Sequence, residues 1–242
     1  MAAARTAEIL STIAAAGRDD GGLPHRLVTA CGRALPVSGV GMVLMSHDGP
    51  AGTVAVTDGS AAKLEDLQFT LGEGPCVDAS RTGRPVLQPE LAVTGPARWP
   101  GFASAALDVG IEAIFAFPLR MGAIRLGVLD LYRDRAGALS EPELAEALAF
   151  ADAATMLLLQ LQSLDPDGRG PLGTIPVVED HAEVHQATGM VSVQADVPLG
   201  QAIGLLQARA FATSRPITAV ARDVLTGRVR FSNDDRGRIH EQ

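Results

Sequence analysis

The chain has 242 residues, of which 47% are apolar, 20% charged and 4% aromatic, and it carries a formal net charge of −8. This apolar content allows a hydrophobic core and excludes a wholly disordered protein, while the length fits one large domain or two modest ones. The net acidity argues against a protein that coats nucleic acid through bulk charge. The two cysteines, Cys31 and Cys76, exclude a disulfide framework.

Motifs of enzymes and of exported proteins are absent from the sequence. No Cys/His cluster has zinc spacing, and no catalytic triad, phosphate-binding loop or paired-carboxylate motif stands out. We therefore expect no catalytic residues, no metal, no cofactor and no enzyme activity. The N-terminus lacks the features of a secretory signal, and no run reaches about 18 uninterrupted apolar residues. We expect a soluble, cytoplasmic protein without a membrane partner.

The first part of the chain combines helical and strand patterns. Residues 2–17 and 24–35 predict two helices. The apolar run 39–46 and the segment 53–57 are separated by a Gly-Pro turn and predict two antiparallel strands. The following region, 71–101, is rich in glycine and proline and gives no clear element.

Two further strands and a long helix are predicted next. Residues 112–119 and 125–132 are apolar on both faces, so both faces are expected to be covered. Ser140 and Glu143 form a capping box that begins a helix ending near Gln162. A heptad-like stripe in this helix suits a partner helix or a dimer, although an ordinary core-facing helix is the alternative. The stripe consists of Leu144, Leu148, Ala151, Thr155 and Leu158.

The C-terminal part of the chain is predicted to be helical, unlike the mixed helix and strand pattern of the first part. The Pro/Gly-rich segment 165–173 cannot continue a helix and predicts a linker. Residues 178–195, 198–213 and 216–226 predict three short amphipathic helices, which form a small bundle. The expected organisation is a first domain over 1–162, a linker over 163–177, a helical domain over 178–231 and a polar tail over 232–242.

The charge is divided unequally between these parts. Residues 1–177 carry 13 basic and 20 acidic side chains, whereas residues 178–242 carry seven and eight. Residues 205–231 contain five arginines and a single acidic residue. The acidity therefore belongs mainly to the first domain, and the second is locally basic.

Two polar stripes are predicted on the helical domain. At 100° per residue, the basic stripe of the third helix spans about 60°, and a stripe of small polar residues lies opposite the apolar face of the first helix. Such surfaces suit an RNA loop, because arginine binds phosphates and hydroxyls reach base edges or the 2′-OH. An ordinary solvated face is the alternative. The stripes consist of Arg215, Thr218 and Arg222, and of His185, Gly189 and Ser192.

Two segments of this domain resemble the ANTAR family of three-helix RNA-binding modules in bacterial transcription antiterminators. They are 184–194 (VHQATGMVSVQ) and 208–224 (ARAFATSRPITAVARDV). The resemblance implies binding, as a homodimer, to two adjacent RNA stem-loops in a nascent leader transcript, which keeps a terminator hairpin from forming and so affects RNA polymerase indirectly. Thr188 stands where other branches of the family often have lysine. The expected RNA contacts are His185, Thr188, Gly189, Ser192, Arg209, Arg215, Thr218 and Arg222.

The first domain resembles a GAF domain of the kind that precedes ANTAR in actinobacteria. The residues that carry the likeness are 71–76 (LGEGPC), 98–102 (RWPGF), 117–120 (FPLR) and 126–132 (LGVLDLY). The resemblance implies an α+β fold, in which an antiparallel sheet with flanking helices precedes the three-helix bundle. It also implies signal input, with a possible small-molecule ligand. The N-terminal helix and the heptad-like stripe are candidates for the dimer surface.

Four residues of the first domain are candidates for a ligand pocket: Glu73, Cys76, Trp99 and Asp130. Cys76 could act in a redox sensor or reductase, but this chemistry needs a resolving thiol, and only Cys31 is available. Packing is the alternative for Cys76 and Trp99, and helix capping is the alternative for Glu73. Asp130 lies inside an apolar strand and either bonds a neighbouring loop or marks a pocket. A protein-binding signalling dimer is a further alternative for the whole chain.

Overall fold

The computed structural model describes residues 2–15, 22–46, 49–163, 181–213 and 215–232. The chain divides into two compact units: Met1–Gln68 with Glu73–Glu179, and Phe69–Gly72 with Asp180–Gln242. The predicted linker and tail lie outside the described residues, apart from Ser163 and Ser232 at their edges.

The first unit is an antiparallel sheet with helices on both faces. The five strands have the order β2-β1-β5-β4-β3, and every neighbouring pair is antiparallel. The elements in chain order are α1 (Ala2–Ala15), α2 (Gly22–Ala34), β1 (Gly39–Ser46), β2 (Gly49–Val56), α3 (Gly59–Leu71), α4 (Pro75–Thr82), β3 (Val86–Gln88), α5 (Leu91–Arg98), α6 (Pro100–Asp108), β4 (Ala113–Met121), β5 (Ile124–Arg133) and α7 (Glu141–Ser163).

The two faces of the sheet pack against different helices. Side chains alternate along a strand, so Leu129 and Leu131 of β5 point to one face. There, α1, α2 and α7 form a large apolar core together with residues of β1, β2 and β4. Asp130 and Tyr132 point to the other face, which α4 covers through its contacts with β4 and β5. Burial on both faces explains why β4 and β5 are apolar throughout, as predicted.

The predicted capping box is present at the start of α7. The Ser140 backbone N–H donates to Glu143 Oε2 over 2.7 Å, and the Glu143 N–H donates to Ser140 Oγ over 3.4 Å. These bonds satisfy two backbone donors that a helix start leaves free. The helix then runs to Ser163, one residue beyond the predicted end.

The Gly/Pro-rich region contains two helices, a strand and the start of a third helix that the sequence did not predict. Pro75 and Pro100 lie in the first turns of α4 and α6, where a missing N–H costs no helical hydrogen bond. Gly83 ends α4 in the left-handed conformation, with φ 65°. Proline and glycine therefore mark helix boundaries here rather than a continuous loop.

Part of the heptad-like stripe of α7 faces the core, which corrects the expectation of a dimer surface along the whole stripe and follows the core-facing alternative there. Ala151 and Leu158 are buried in the core, and Leu144 packs against it. Leu148 remains 43% exposed, and Met156 adds a second exposed apolar side chain to the outer face of α7. The prediction was incomplete because a heptad spacing and a core-facing spacing use the same positions.

Among the described residues, one segment is long and apolar enough to cross a membrane, Glu141–Leu161, and it lies in α7. Its apolar residues include Phe150 and Leu157, which lie in the core of the first unit. The segment therefore has the properties of a core helix.

The second unit contains three helices, α8 (Ala182–Ala195), α9 (Leu199–Ala212) and α10 (Ile217–Leu225). Helices α9 and α10 are each two residues shorter than predicted, and residues 178–180 of the first predicted helix lie outside the described residues. Val184, Val191, Leu206, Val220 and Val224 are fully or almost fully buried in their common core. The helical periodicity thus identified the apolar faces of all three helices.

Candidate functional site

A group of polar side chains is buried beneath the sheet of the first unit, on the face that α3 and α4 cover. We call it the buried acid cluster. Glu65, Asp130 and Tyr132 expose at most 3% of their surface, and Gln68 and Cys76 expose 1% each. Polar groups at this depth are costly unless they are paired, so the cluster is a candidate for function.

Three elements bring these residues together. In α3, residues Ala61, Leu64, Glu65 and Gln68 are buried at helical spacing, so two polar side chains occupy core positions. In β5, Asp130 and Tyr132 are two residues apart and therefore share a face. Cys76 follows Gly74-Pro75 at the start of α4.

The Gln68 side chain connects three members of the cluster. Its Oε1 accepts the backbone N–H of Cys76 over 2.8 Å, which supplies an acceptor at the start of α4. Its Nε2 donates to Glu65 Oε2 over 3.3 Å and to Tyr132 Oη over 3.1 Å. The amide thus fixes the position of one carboxylate oxygen of Glu65.

The other carboxylate oxygens of the cluster lack partners. Glu65 Oε1 and both oxygens of Asp130 are buried without a hydrogen-bond partner among the described residues. Gly41 makes room for them: it pairs with Asp130 across the sheet, and a Cβ atom at Gly41 would overlap the Glu65 carboxylate. The strand is therefore shaped around the acidic side chain.

Burial shifts the acid–base properties of the cluster. Burial raises the pKa of Glu65 well above its ordinary value, and the negative charge of Asp130 raises it further. Burial also raises the pKa of Asp130 and of the Cys76 thiol. Since two buried carboxylates cannot both remain charged without compensation, the pair must hold a proton or a cation.

The second unit presents a different kind of polar surface. Arg215 Nη2 lies 2.8 Å from Asp223 Oδ2, Arg228 Nε lies 3.2 Å from Asp223 Oδ1, and Arg222 Nη2 lies 3.0 Å from Glu183 Oε2. The guanidinium side chains of these arginines are 44–66% exposed. The hydrogen bond from Arg215 is the largest of the effects that lower the pKa of Asp223. We call Arg215, Thr218 and Arg222 with His185 and Gly189 the arginine surface.

Three of the residues predicted to contact RNA do not belong to this surface. Thr188 is buried, and its hydroxyl donates to the Val184 carbonyl oxygen in its own helix over 2.7 Å. Arg209 is also buried. Ser192 is half-buried and donates to the Val197 carbonyl oxygen over 2.6 Å. His185 is exposed, and Gly189 has open space around it.

Comparison with known proteins identifies the first unit. Residues 25–159 match the GAF domain family. The chain belongs to the GAF domain family. No curated protein matches it. Membership in this family suggests that the GAF unit senses a signal.

The chain is also similar to solved structures, of which one at a TM-score of 0.50 agrees with the GAF fold. The GAF domain of an Acinetobacter phosphoenolpyruvate-protein phosphotransferase is 10% identical, with a TM-score of 0.50, and the match covers 66% of this chain and 94% of that one. A sensor histidine kinase domain from Sinorhizobium meliloti is 18% identical (TM-score 0.49; 61% and 96% covered). A free methionine-R-sulfoxide reductase from Thermoplasma acidophilum is 14% identical (TM-score 0.41; 63% and 94% covered). At 10% identity, the likeness to the Acinetobacter domain concerns the fold and not the activity.

The GAF unit brings together two of the four residues predicted to line a ligand pocket. Cys76 and Asp130 belong to the buried acid cluster, whereas Glu73 and Trp99 have structural roles. Glu73 Oε1 accepts the backbone N–H groups of Gly101 and Phe102, each over 2.8 Å, and so caps α6. The Trp99 ring is buried, and its Nε1 donates to a carboxylate over 3.1 Å.

Sequence reasoning missed Glu65, Gln68 and Tyr132. The available signal was in α3, where Glu65 and Gln68 stand at positions that helical periodicity assigns to the core. A charged residue at such a position indicates a buried polar partner on the facing strand. Only the fold of the GAF unit shows that the facing strand is the one that carries Asp130.

The two cysteines of the GAF unit lie on opposite faces of the sheet. Cys31 belongs to the apolar core that contains Leu129 and Leu131, whereas Cys76 lies beneath the face of Asp130. Both thiols are free and buried. Cys31 is therefore not placed to act as a resolving thiol, and the raised pKa of Cys76 disfavours a nucleophilic thiolate.

Proposed function

We propose that this protein is a signal-responsive RNA-binding regulator without catalytic activity. In this proposal the GAF unit receives the signal, and the C-terminal unit binds tandem stem-loops in a nascent leader transcript. Bound protein prevents the competing terminator hairpin from forming, so transcription continues. The resemblance of residues 184–194 and 208–224 to ANTAR modules supports the choice of RNA as the partner.

The observation that carries the proposal is the arginine surface. Arg222 extends from α10 and Arg215 lies two residues before this helix. Both guanidinium groups are exposed, and each is oriented by a single carboxylate. A planar guanidinium group can bind phosphate through two parallel hydrogen bonds and can stack on a base. The net acidity of the chain does not oppose this contact, because the surface lies in its locally basic part.

The ion pairs on this surface are compatible with exchange for phosphate. Exposed pairs such as Arg222–Glu183 contribute about 0–1 kcal/mol, so a phosphate group can displace the carboxylate at little cost. Gly189 presents no side chain and has open space beside it, so an RNA backbone can come close to α8 there. The arginine surface can therefore contact an RNA loop through interactions that differ in strength.

A homodimer is part of the proposal, because two adjacent stem-loops require two binding modules. The outer face of α7 supports it, since Leu148 and Met156 are 43% and 54% exposed there. Apolar side chains two turns apart on one helix face suit pairing with a second α7. Light scattering of the full chain with and without RNA measures this step.

The proposal is tested by a matched pair of arginine substitutions. Arg222→Ala should weaken binding to a tandem stem-loop RNA by roughly 5-fold to 30-fold, since a charge-assisted hydrogen bond contributes about 1–2 kcal/mol. It should also flatten the dependence of affinity on salt. Arg81→Ala is the control, because Arg81 is 71% exposed on the GAF unit. Equal losses in both variants would contradict the proposal.

A second candidate function is protein binding through the C-terminal unit. Its motivation is the exposure of Val193 and Phe211, which are 83% and 70% accessible. Apolar side chains that are this exposed favour contact with another protein. Failure of the chain to bind RNA at low salt would favour this candidate over the first.

A further inference from the structure

The buried acid cluster has a property that RNA binding does not explain. Glu65, Cys76 and Asp130 each offer one ligand atom, and these three atoms lie within 4.8 Å of one another. They come from α3, α4 and β5, so the fold itself brings them together. Ligand atoms around a tetrahedral zinc ion lie about 3.5 Å apart, so small side-chain movements would bring these three atoms to that spacing.

The unpartnered oxygens are the second and independent observation. Glu65 Oε1 and both oxygens of Asp130 have no hydrogen-bond partner among the described residues, although Glu65 is 3% exposed and Asp130 is fully buried. Within the same residues, no arginine, lysine or histidine forms an ion pair with either carboxylate. A buried carboxylate without such partners requires compensation by a positive species.

We propose that Glu65, Cys76 and Asp130 bind one divalent transition-metal ion, with Zn²⁺ as the best-fitting representative. Binding converts the Cys76 thiol to a thiolate, and the protons of the thiol and of any protonated carboxyl group pass to the solvent. The sequence predicted no metal, because its cysteine and histidine spacing matches no zinc motif. The structure changes this expectation, since the ligands come from three separate elements. The inference goes beyond the proposed RNA binding and does not rest on it.

The chemistry of the donor set selects the class of ion. A cysteine sulfur beside two carboxylate oxygens favours a borderline-soft ion such as Zn²⁺ or Co²⁺. Ca²⁺ requires six to eight oxygen ligands, and Mg²⁺ keeps an octahedral shell of oxygens, so neither fits a thiol-containing set of three. Three protein ligands leave a fourth position for water or a signal molecule.

The residues around the three ligands also fit a metal-binding site. Gln68 Nε2 binds Glu65 Oε2, which leaves Oε1 of the same carboxylate for the ion. Such a contact orients a metal-binding carboxylate. Gly41 provides the space in which the Glu65 carboxylate lies. The competing explanation is a proton shared between Glu65 and Asp130, and it predicts no metal uptake.

Cobalt titration of the full chain tests the proposal. The chain is stripped with a chelator, and Co²⁺ is added both to the folded protein and during refolding, so that slow entry into a buried site cannot hide binding. We expect one Co²⁺ per chain, a thiolate-to-cobalt charge-transfer absorption, displacement by Zn²⁺, and a higher Tm of the zinc form.

Substitutions then assign the ligands. Cys76→Ala should abolish the charge-transfer absorption, whereas Cys31→Ala removes a buried thiol on the other face of the sheet and should keep it. Asp130→Asn should weaken metal binding at least about tenfold. This variant removes a buried charge, so its metal-free form should remain folded, as circular dichroism can verify. Absence of Co²⁺ uptake, equal absorption in the two cysteine variants, or unchanged affinity in Asp130→Asn would overturn the proposal.

Discussion

The two units of this protein treat their charged side chains in opposite ways. The GAF unit buries Glu65 and Asp130 with three carboxylate oxygens that have no hydrogen-bond partner in the described structure. The C-terminal unit keeps Arg215 and Arg222 in solvent and gives each a carboxylate partner. A buried unpartnered charge requires a ligand or a proton, whereas an exposed paired charge can exchange partners. The first arrangement suits sensing, and the second suits reversible contact with a polyanion.

The largest effect should come from filling the space that the acid cluster uses. Gly41→Ala places a Cβ atom where the Glu65 carboxylate lies, so we expect a loss of about 1–3 kcal/mol in the free energy of unfolding. Urea denaturation measures this value. In a Glu65→Ala background the same substitution should cost less, because the overlapping carboxylate is gone.

Gly59→Ala is the control for this substitution. A Cβ atom at Gly59 meets nothing within 4 Å, so its addition should be close to neutral. If Gly41→Ala were equally neutral, or if Glu65→Ala failed to reduce its cost, the packing of Glu65 against β1 would be refuted.

A smaller effect is expected at Glu73, a carboxylate of the GAF unit that does have partners. Glu73→Ala removes the acceptor of two backbone N–H groups at the start of α6 and should destabilise the unit by about 1–2 kcal/mol. Glu90→Ala is the comparison, because Glu90 precedes α5 without a capping side-chain bond. Equal unfolding midpoints for the two variants would show that Glu73 does not cap α6.

The smallest effect should come from releasing an exposed arginine from its partner. Glu183→Gln frees Arg222 and removes a negative charge beside it, so RNA affinity should rise roughly twofold, which corresponds to about 0.5 kcal/mol. The stability of the C-terminal unit should hardly change. Fluorescence anisotropy with labelled RNA measures the affinity, and a decrease in RNA affinity would contradict the exchange of carboxylate for phosphate.

Much of the fold follows from local patterns in the sequence. The apolar runs of β4 and β5, the Ser140–Glu143 capping box and the apolar faces of α8–α10 are local signals, and the structure bears them out. Helix α3 was not predicted, and helices α4–α6 were missed because glycine and proline mark helix ends as well as loops. Two interpretations of the α7 stripe stayed open at the level of sequence, because spacing alone does not show which side the sheet covers.

The candidate site was less accessible to sequence reasoning than the fold. Asp130 attracts attention because it interrupts an apolar strand, and Cys76 because it follows Gly74-Pro75. Their convergence with Glu65 depends on how α3 packs against the sheet, which no local pattern encodes. On the C-terminal unit, spacing identified Arg215 and Arg222, but the burial of Thr188 became visible only in the packed bundle.

RNA binding by the full chain tests the central claim most directly. The probe is a tandem stem-loop from leader transcripts that crosslink to the protein in cells, and the comparison is the same RNA with both loop sequences replaced. We predict that the native loops bind at least about tenfold more tightly at the same salt concentration, and that affinity falls as salt rises. Equal affinity for the two RNAs, or no binding at low salt, would contradict the account.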